Sequence, residues 1–243
     1  MGKFKNLKIS CLFFTMLIAV VACNEKDNSL KVNSDVVFWK KKIENQDVYG
    51  VAYYLQANQG LDSVTVTLPS EQVVKLKQHE TSTYLFWKEP ADAEFTPIEP
   101  ETGVYLFKVA SKKGEYLEIV EEQDFFDLPF IEIDSTGFDD SSGKKWYYVR
   151  WKDIKDADAY EVMLLNLSGK VIFNGITFPA TEKHDYYISQ FHITGVWDEE
   201  PKKGQRYNLK TNAIKYDDPT DKNNPYNTQI ISESVREITW QLE

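Results

Sequence analysis

Hydrophobic side chains in this chain alternate with polar ones over short stretches, and no stretch repeats them at the three- and four-residue spacing of an amphipathic helix. Residues 64–68 alternate branched or long apolar side chains with threonine, which is typical of a half-buried strand. Residues 103–109 and 115–120 form two further such stretches around a turn at 111–114. Because turn-forming residues separate many short stretches of this kind, the pattern predicts an all-β protein built as a sandwich.

The predicted strands fall into two groups separated by residues 121–145. This segment interrupts the alternation with acidic residues, a Leu128-Pro129 step and a stretch rich in Asp, Ser and Gly. We therefore predict two tandem β-sandwiches, the first over residues 35–128 and the second over residues 129–243. A chain of 243 residues with 42% hydrophobic residues can bury a core in each of them.

Charge and composition exclude several classes of function. The chain has 38 acidic and 28 basic residues, a net charge of −10, whereas a nucleic-acid-binding protein presents a basic surface. Two cysteines and three histidines are too few for a disulfide scaffold or a Cys/His zinc site. No phosphate-binding loop and no motif of a metalloprotease or serine hydrolase occurs in the sequence. We therefore predict no nucleic-acid partner, no cofactor and no catalytic residue, although a hydrolase that uses a pair of these many carboxylates stays an alternative.

The first 23 residues have the layout of a bacterial export signal. Three lysines precede an apolar run over residues 9–22, and a helix of that length spans about 21 Å, less than a bilayer core of about 30 Å. The run ends in Val20-Val21-Ala22-Cys23, which resembles the lipobox of bacterial lipoproteins. The resemblance implies that residues 1–22 are a signal peptide and that a lipid on the Cys23 thiol anchors the protein to a membrane.

The residues after this cysteine suggest where the protein is anchored. Residues 23–34 are polar and without periodicity, so we predict a flexible tether that begins at the lipidated cysteine. Asn24 stands where enteric lipoproteins retained at the inner membrane carry aspartate. Residues 25–27 (Glu25-Lys26-Asp27) resemble the surface-export signal of lipoproteins in the Bacteroidetes. These resemblances imply an outer-membrane lipoprotein that faces the cell surface.

Three aromatic residues in the second half lie in a pattern that resembles the fibronectin type III domain. Trp151, Tyr160 and Tyr207 match the strand-B tryptophan, the strand-C tyrosine and the strand-F tyrosine of that family. In the family, the hydroxyl group of the strand-F tyrosine bonds back to the preceding loop. In the first half, Tyr105 within residues 103–109 resembles the same feature of an immunoglobulin-like domain. The resemblance implies an immunoglobulin-like sandwich followed by a fibronectin type III-like sandwich, with these four rings in their cores.

Three other aromatic residues are candidates for a ligand-binding surface, because flat rings stack on the apolar faces of sugars. Trp197 precedes a charged run over residues 198–203, and Tyr216 and Tyr226 flank the long loop between the last two predicted strands. The alternative is that Trp197 folds back over the end of the sandwich and that the two tyrosines keep only their hydroxyl groups in solvent.

The same loop carries Asp217, Asp218 and Asp221, which are weak candidates for calcium ligands. Calcium is bound by carboxylate and carbonyl oxygens, which a loop of this composition can supply together. The loop does not match an EF-hand, and the alternative is that these residues are solvated turn residues.

Together these features predict a non-enzymatic lipoprotein at the cell surface that binds an extracellular ligand, with a polysaccharide favoured. The alternative is a structural, adhesin or assembly component that contacts another protein of the outer membrane. An exposed Trp197 beside a groove favours the glycan hypothesis, whereas an unprotected apolar edge strand favours assembly. A deep cleft with two converging carboxylates favours the hydrolase.

Overall fold

The structure, a computed structural model, describes residues 29–139, 146–181, 184–189, 194–221, 224 and 226–241. These residues fold almost entirely into β-strands, which confirms the predicted all-β fold with sandwich-like domains. A single 3₁₀ turn, Asp92–Glu94, lies between two strands of the first half. Within these ranges no helix is both long enough and apolar enough to cross a bilayer. The predicted signal peptide and Cys23 lie outside the described residues.

Strands of the first half come mostly from the alternating stretches that the sequence predicts. On β3 and β7 the buried side chains are apolar, except for Ser111 at the end of β7, and the side chains between them face outward, as the two-residue period requires. The strands are β1 (Val32–Ile43), β2 (Gln46–Ala57), β3 (Leu61–Thr67), β4 (Val73–Lys75), β5 (Lys77–His79), β6 (Ser82–Lys88), β7 (Gly103–Ser111) and β8 (Tyr116–Gln123).

The second half contains shorter strands at its start and two long strands at its end. They are β9 (Ile133–Asp139), β10 (Trp146–Trp151), β11 (Ala159–Leu165), β12 (Val171–Gly175), β13 (Phe178–Pro179), β14 (Asp185–Ser189), β15 (Gly195–Trp197), β16 (Arg206–Tyr216) and β17 (Thr228–Thr239).

The two halves follow the same chain path. In the first half the strands β1-β2-β6-β5 lie side by side and pack against the sheet β4-β3-β7-β8. In the second half the sheet β14-β10-β9 packs against the strands β12-β11-β16-β17, with β15 beside β12. In each half, therefore, the first two strands lie in one layer and the third, fourth and last strands lie in the other.

The halves are joined edge to edge. Strand β1 pairs in parallel with β17, through Phe38 with Ile230, Trp39 with Ile231 and Lys40 with Ser232. This pairing, called the seam below, merges the neighbouring strands of both halves into one ten-stranded sheet. The sequence predicts two tandem sandwiches but gives no sign of a sheet that they share.

The four aromatic rings assigned to the cores are buried. Trp151 and Tyr160 pack edge to face, with 5.2 Å between their ring centroids. The hydroxyl group of Tyr207 accepts a hydrogen bond from the backbone N–H of Lys202 in the preceding loop, at 2.8 Å. The hydroxyl group of Tyr105 donates to the backbone carbonyl of Glu101. Each half therefore has a tyrosine that fixes the loop leading into its long central strand.

Strand β1 begins at Val32, three residues before the predicted start of the first sandwich at residue 35. Residues 32–34 belong to β1, whereas the sequence assigns residues 23–34 to a flexible tether. The side chain of Asn58 holds the chain in place before the strand, because its amide oxygen accepts from Lys31 N and its amide nitrogen donates to Ser29 O, both at 2.9 Å. These two bonds from the Asn58 side chain attach the polar residues before β1 to the residue that follows β2.

Candidate functional site

Trp197 lies on the edge strand β15 and faces the sandwich. Its indole ring packs against Phe173 at 4.6 Å between centroids and against Trp240 at 6.0 Å, and its Nε1–H donates to the backbone oxygen of Ser189 at 2.7 Å. This is the arrangement that the sequence analysis gives as the alternative, a ring folded over the end of the sandwich. Its neighbour Val196 points outward and is 64% exposed, since adjacent residues of a strand face opposite sides.

Tyr226 and Tyr216 lie beside the seam, far along the sheet from Trp197. The hydroxyl group of Tyr226 hydrogen-bonds Gln56 on β2 at 3.0 Å, so the loop between β16 and β17 reaches the first half of the molecule. Tyr216 ends β16 and is half-buried, and its backbone N–H donates to Asp158 at 3.0 Å. Three strands, β12, β11 and β16, separate β15 from β17 in the sheet, so the structure does not bring the three aromatic candidates together.

The acidic loop after β16 is organised around an amide group. The side-chain nitrogen of Asn227 donates to the backbone oxygens of Asp218 and Asp221, at 2.7 and 2.9 Å. The carboxylate of Asp218 accepts from the backbone N–H and the hydroxyl group of Thr220. Two oxygens that a cation could use thus converge on an NH₂ group. In the described part of the chain, no group of three acidic, histidine or cysteine side chains is placed to hold a metal ion.

Asp217 instead takes part in an acidic junction, formed with Asp35 on β1 and Glu121 on β8. Asp35 is 4% exposed and accepts from the backbone N–H of Thr228, at 3.1 Å. Burial raises the pKa of Asp35 from 3.8 to about 8; the hydrogen bond from Thr228 lowers it, and the charges of Asp217 and Glu121 raise it. Burial also raises the pKa of Asp217. The junction lies where β1, β8 and the loop before β17 meet.

A groove with a volume of about 510 Å³ lies between the end of β1, the connection from β8 to β9, and β17. The Lys40 ammonium group is 2.5 Å from Asp127 and 4.6 Å from the centroid of the Phe130 ring. Lys42 also approaches this ring, at 4.9 Å. Ser234 also lines the groove, but its hydroxyl oxygen is buried and has no hydrogen-bond partner among the described residues. Both halves therefore contribute to a cleft within the usual volume range of ligand sites, about 300–1,000 Å³.

A second candidate surface, after the groove, is the outward side of the sheet β4-β3-β7-β8, called the outer face below. Register places the side chains of this face in three rows that cross the sheet. The rows are Val73-Thr67-Leu106-Val120, Lys75-Thr65-Lys108-Glu118 and Ser63-Ala110-Tyr116. Val120 is 61% exposed and Tyr116 is 84% exposed. Val73 and Val104 are exposed as well, so four of the eight exposed large apolar side chains of the first half lie on this one face.

Comparison with known proteins adds little to these observations. No protein-family model matches the sequence, and no curated protein is significantly similar to it. The chain is similar to a solved structure of a tetra-tandem repeat in the extending region of a large adhesion protein, with 11% identity and a TM-score of 0.26. The match covers 86% of this chain and 49% of that one, so the chain spans about half the length of the structure it matches.

Sequence reasoning missed both the groove and the outer face. The groove depends on the seam, which joins residues about 190 positions apart and leaves no local pattern. The outer face had a local signal in the sequence of β8, where Tyr116 is followed directly by Leu117, and Ile119 by Val120. Adjacent residues of a strand face opposite sides, so consecutive apolar residues indicate a strand with apolar side chains on both sides.

Proposed function

We propose that the protein is a non-enzymatic lipoprotein of the outer membrane that contacts another protein at the cell surface through its outer face. The observation that carries this proposal is that one face of one sheet exposes four large apolar side chains between its polar residues, Val73, Val104, Tyr116 and Val120. Exposed apolar side chains rimmed by polar residues are typical of protein-contact surfaces.

The outer face is well suited to binding because the strands beneath it are held rigidly. The inward side chains of the same strands, among them Val66, Phe107 and Val109, are buried in the core. A partner that docks on the outer face would therefore meet a preorganised surface and would not have to order a loop. The lipid expected on Cys23 would keep this surface next to the membrane.

A photo-reactive amino acid at position 120 tests the proposal in living cells. We expect irradiation to give a covalent protein adduct that mass spectrometry can identify. The matched control is the same amino acid at position 196, because Val196 is also an exposed valine on an edge strand, 64% against 61% exposed, but lies in the other half. Absence of an adduct at position 120, or equal adducts at both positions, would contradict the proposal.

Glycan binding is a second candidate function, and the groove is the observation that favours it. Phe130 offers an aromatic surface and Lys42 an ammonium group, which together form the mixed apolar and polar lining that sugars require. Lys40 is less available because it is held by Asp127 and lies 3.6 Å from Asp47.

The glycan hypothesis is tested by titrating the protein with a panel of polysaccharides in a calorimeter. If the groove is the site, Phe130→Ala should weaken binding by at least about 1 kcal/mol, the loss expected for an aromatic contact. Tyr226→Phe serves as the control, because it changes an aromatic residue outside the groove. Binding that both variants retain would exclude the groove, and no binding to any polysaccharide would exclude this function.

A further inference from the structure

The geometry points to a second copy of this chain as the partner of the outer face; this inference rests on the proposed function and names its partner. The face is self-complementary about a two-fold axis that runs along the strands, midway between β7 and β8. In such an isologous contact every contact occurs twice, so a residue on β7 of one copy lies over β8 of the other.

The middle row supplies the charge complementarity. Lys108 on β7 and Glu118 on β8 are in register, with 3.3 Å between Lys108 Nζ and Glu118 Oε1, and both are exposed. The two-fold rotation places Lys108 of one copy over Glu118 of the other, and Glu118 of the first over Lys108 of the second. The four charges then alternate in sign around the axis, so each charge has two neighbours of opposite sign.

The two flanking rows match in shape under the same rotation. Leu106 lies over Val120 of the second copy, which places apolar side chains on both sides. In the third row, Tyr116 lies over Ala110. Beside Tyr116 is a hollow of about 240 Å³, which the small side chains of Ser63, Thr65 and Ala110 line together with Lys108, Val109, Leu117 and Glu118. A projecting ring and a hollow of small side chains on one face are what two identical surfaces need in order to interlock.

The size of the contact sets its expected strength. Two strands about 4.8 Å apart and about 30 Å long present roughly 300 Å² of sheet in each copy, which is below the range of stable dimers. A contact this small is typical of weak, transient association, for which we take a dissociation constant in solution on the order of 100 µM as the working value. Two copies anchored in one membrane would associate more readily, because anchoring raises their effective concentration.

Sedimentation velocity of the purified protein tests the inference. Wild-type protein should show a concentration-dependent monomer–dimer equilibrium between about 5 and about 500 µM, a range that brackets the expected dissociation constant. Lys108→Glu should weaken dimerisation at least about tenfold, because it places like charges opposite one another. Combining it with Glu118→Lys should restore the dimer, because the swapped charges again meet opposite signs.

The matched control is Arg206→Glu. It removes another exposed cross-strand ion pair, Arg206 with Glu237 at 3.0 Å, on the second half of the molecule. This variant should dimerise like the wild type. A wild-type protein that is monomeric throughout the concentration range, or a Lys108→Glu variant that dimerises like the wild type, would overturn the inference. An adduct with a different protein at position 120, together with a monomeric wild type, would leave the proposed function standing and exclude only the second copy.

Discussion

The sheets β4-β3-β7-β8 and β12-β11-β16-β17 occupy the same place in the two halves, yet their outward sides differ. The first ends at β8, whose only strand neighbour in the described chain is β7, and its outer face is exposed. The second continues through β17 into β1, and the outward side chains at the middle of β16 are shielded beside this seam. Asn212 on β16 faces outward but is only 2% exposed.

Polar contacts within the molecule occupy the outward side of the second sheet. Asn212 donates to Glu161 on β11 at 2.9 Å, and burial raises the pKa of that glutamate. Lys210 and Glu233 form an ion pair at 2.6 Å that is mostly shielded from solvent. The Lys210 ammonium group also lies 5.2 Å from the ring of Trp39 on β1, so the cluster spans the seam.

The comparison indicates that the partner of the last strand determines whether the outward side of a sandwich half is available for binding. When the last strand pairs with the other half, as β17 does, its sheet becomes part of the seam between the halves. When it stays at the edge, as β8 does, its sheet keeps a free surface. Four predictions test this comparison, and they are given in order of decreasing effect.

The largest effect is expected where the last strand of the second half is buried. Ile230→Ala on β17 should lower the free energy of unfolding by about 2–5 kcal/mol, because Ile230 is fully buried at the seam and its truncation leaves a cavity. Val120→Ala on β8 is the matched variant, and a change within about 0.5 kcal/mol is expected for an exposed residue. Chemical denaturation measures both. Equal losses would contradict the distinction between the two last strands.

The acidic junction should make the seam sensitive to pH. Because the pKa of Asp35 is raised to about 8, the folded protein retains a proton that the unfolded chain releases above about pH 4. Stability from this group is therefore complete below about pH 4 and is lost as the pH rises towards 8. Asp35→Asn should raise the free energy of unfolding at pH 7 by up to about 4 kcal/mol relative to its effect at pH 4.

Denaturation curves at several pH values measure this difference. Asp62→Asn, at an exposed aspartate of the first half, is the control and should show no such trend. An Asp35→Asn variant whose stability parallels the wild type from pH 4 to pH 8 would show that the acidic junction does not hold a proton.

Trp197 allows a test of whether its ring is structural. Trp197→Ala should destabilise the protein by about 2–3 kcal/mol, somewhat less than a fully buried tryptophan, because its contacts with Phe173 and Trp240 are lost. Val196→Ala, at the neighbouring outward position, should have little effect. If Trp197→Ala leaves stability unchanged but weakens binding of a polysaccharide, the ring is a ligand contact and its packing is incidental.

The smallest effects are expected at the two loop-fixing tyrosines. Tyr207→Phe and Tyr105→Phe each remove a hydroxyl group and should each cost about 0.5–1.5 kcal/mol, the usual net value of a hydrogen bond. Tyr207→Phe also leaves the N–H of Lys202 without this acceptor, so it should lower the free energy of unfolding more than Tyr105→Phe does. Thermal unfolding of both variants compares the two halves directly. A Tyr207→Phe variant that is as stable as the wild type would contradict the larger loss expected for this tyrosine.

The sequence predicted the parts of the fold that depend on neighbouring residues. The alternation in β3 and β7 identified strands, because side-chain direction follows from the two-residue period. The burial of Trp151 and Tyr207 was expected from the family pattern that their spacing resembles. The seam could not be predicted in this way. Its pairs join residues 38–40 to residues 230–232, and sheet edges pair through backbone groups that every residue carries.

Trp197 illustrates why the candidate site was harder to predict than the fold. The charged run after it suggested exposure, but its direction is set by β15, which pairs with only three residues of β12. That pairing requires a close approach at Gly195, where a Cβ atom would lie 2.5 Å from the ring of Phe173. The sequence could have indicated that the indole faces inward only through the glycine at position 195, considered together with its strand partner Gly175, 20 positions away.

The seam also governs the order in which the molecule can be completed. A ribosome delivers β1 before any other described strand and β17 after all of them, so one side of β1 waits for its neighbour until synthesis is nearly finished. Contacts this distant along the chain form slowly, and an unpaired strand side can meanwhile pair with another chain. A chain that ends before residue 228 would therefore lack β17 and leave this edge of β1 unpaired and prone to pair with another chain.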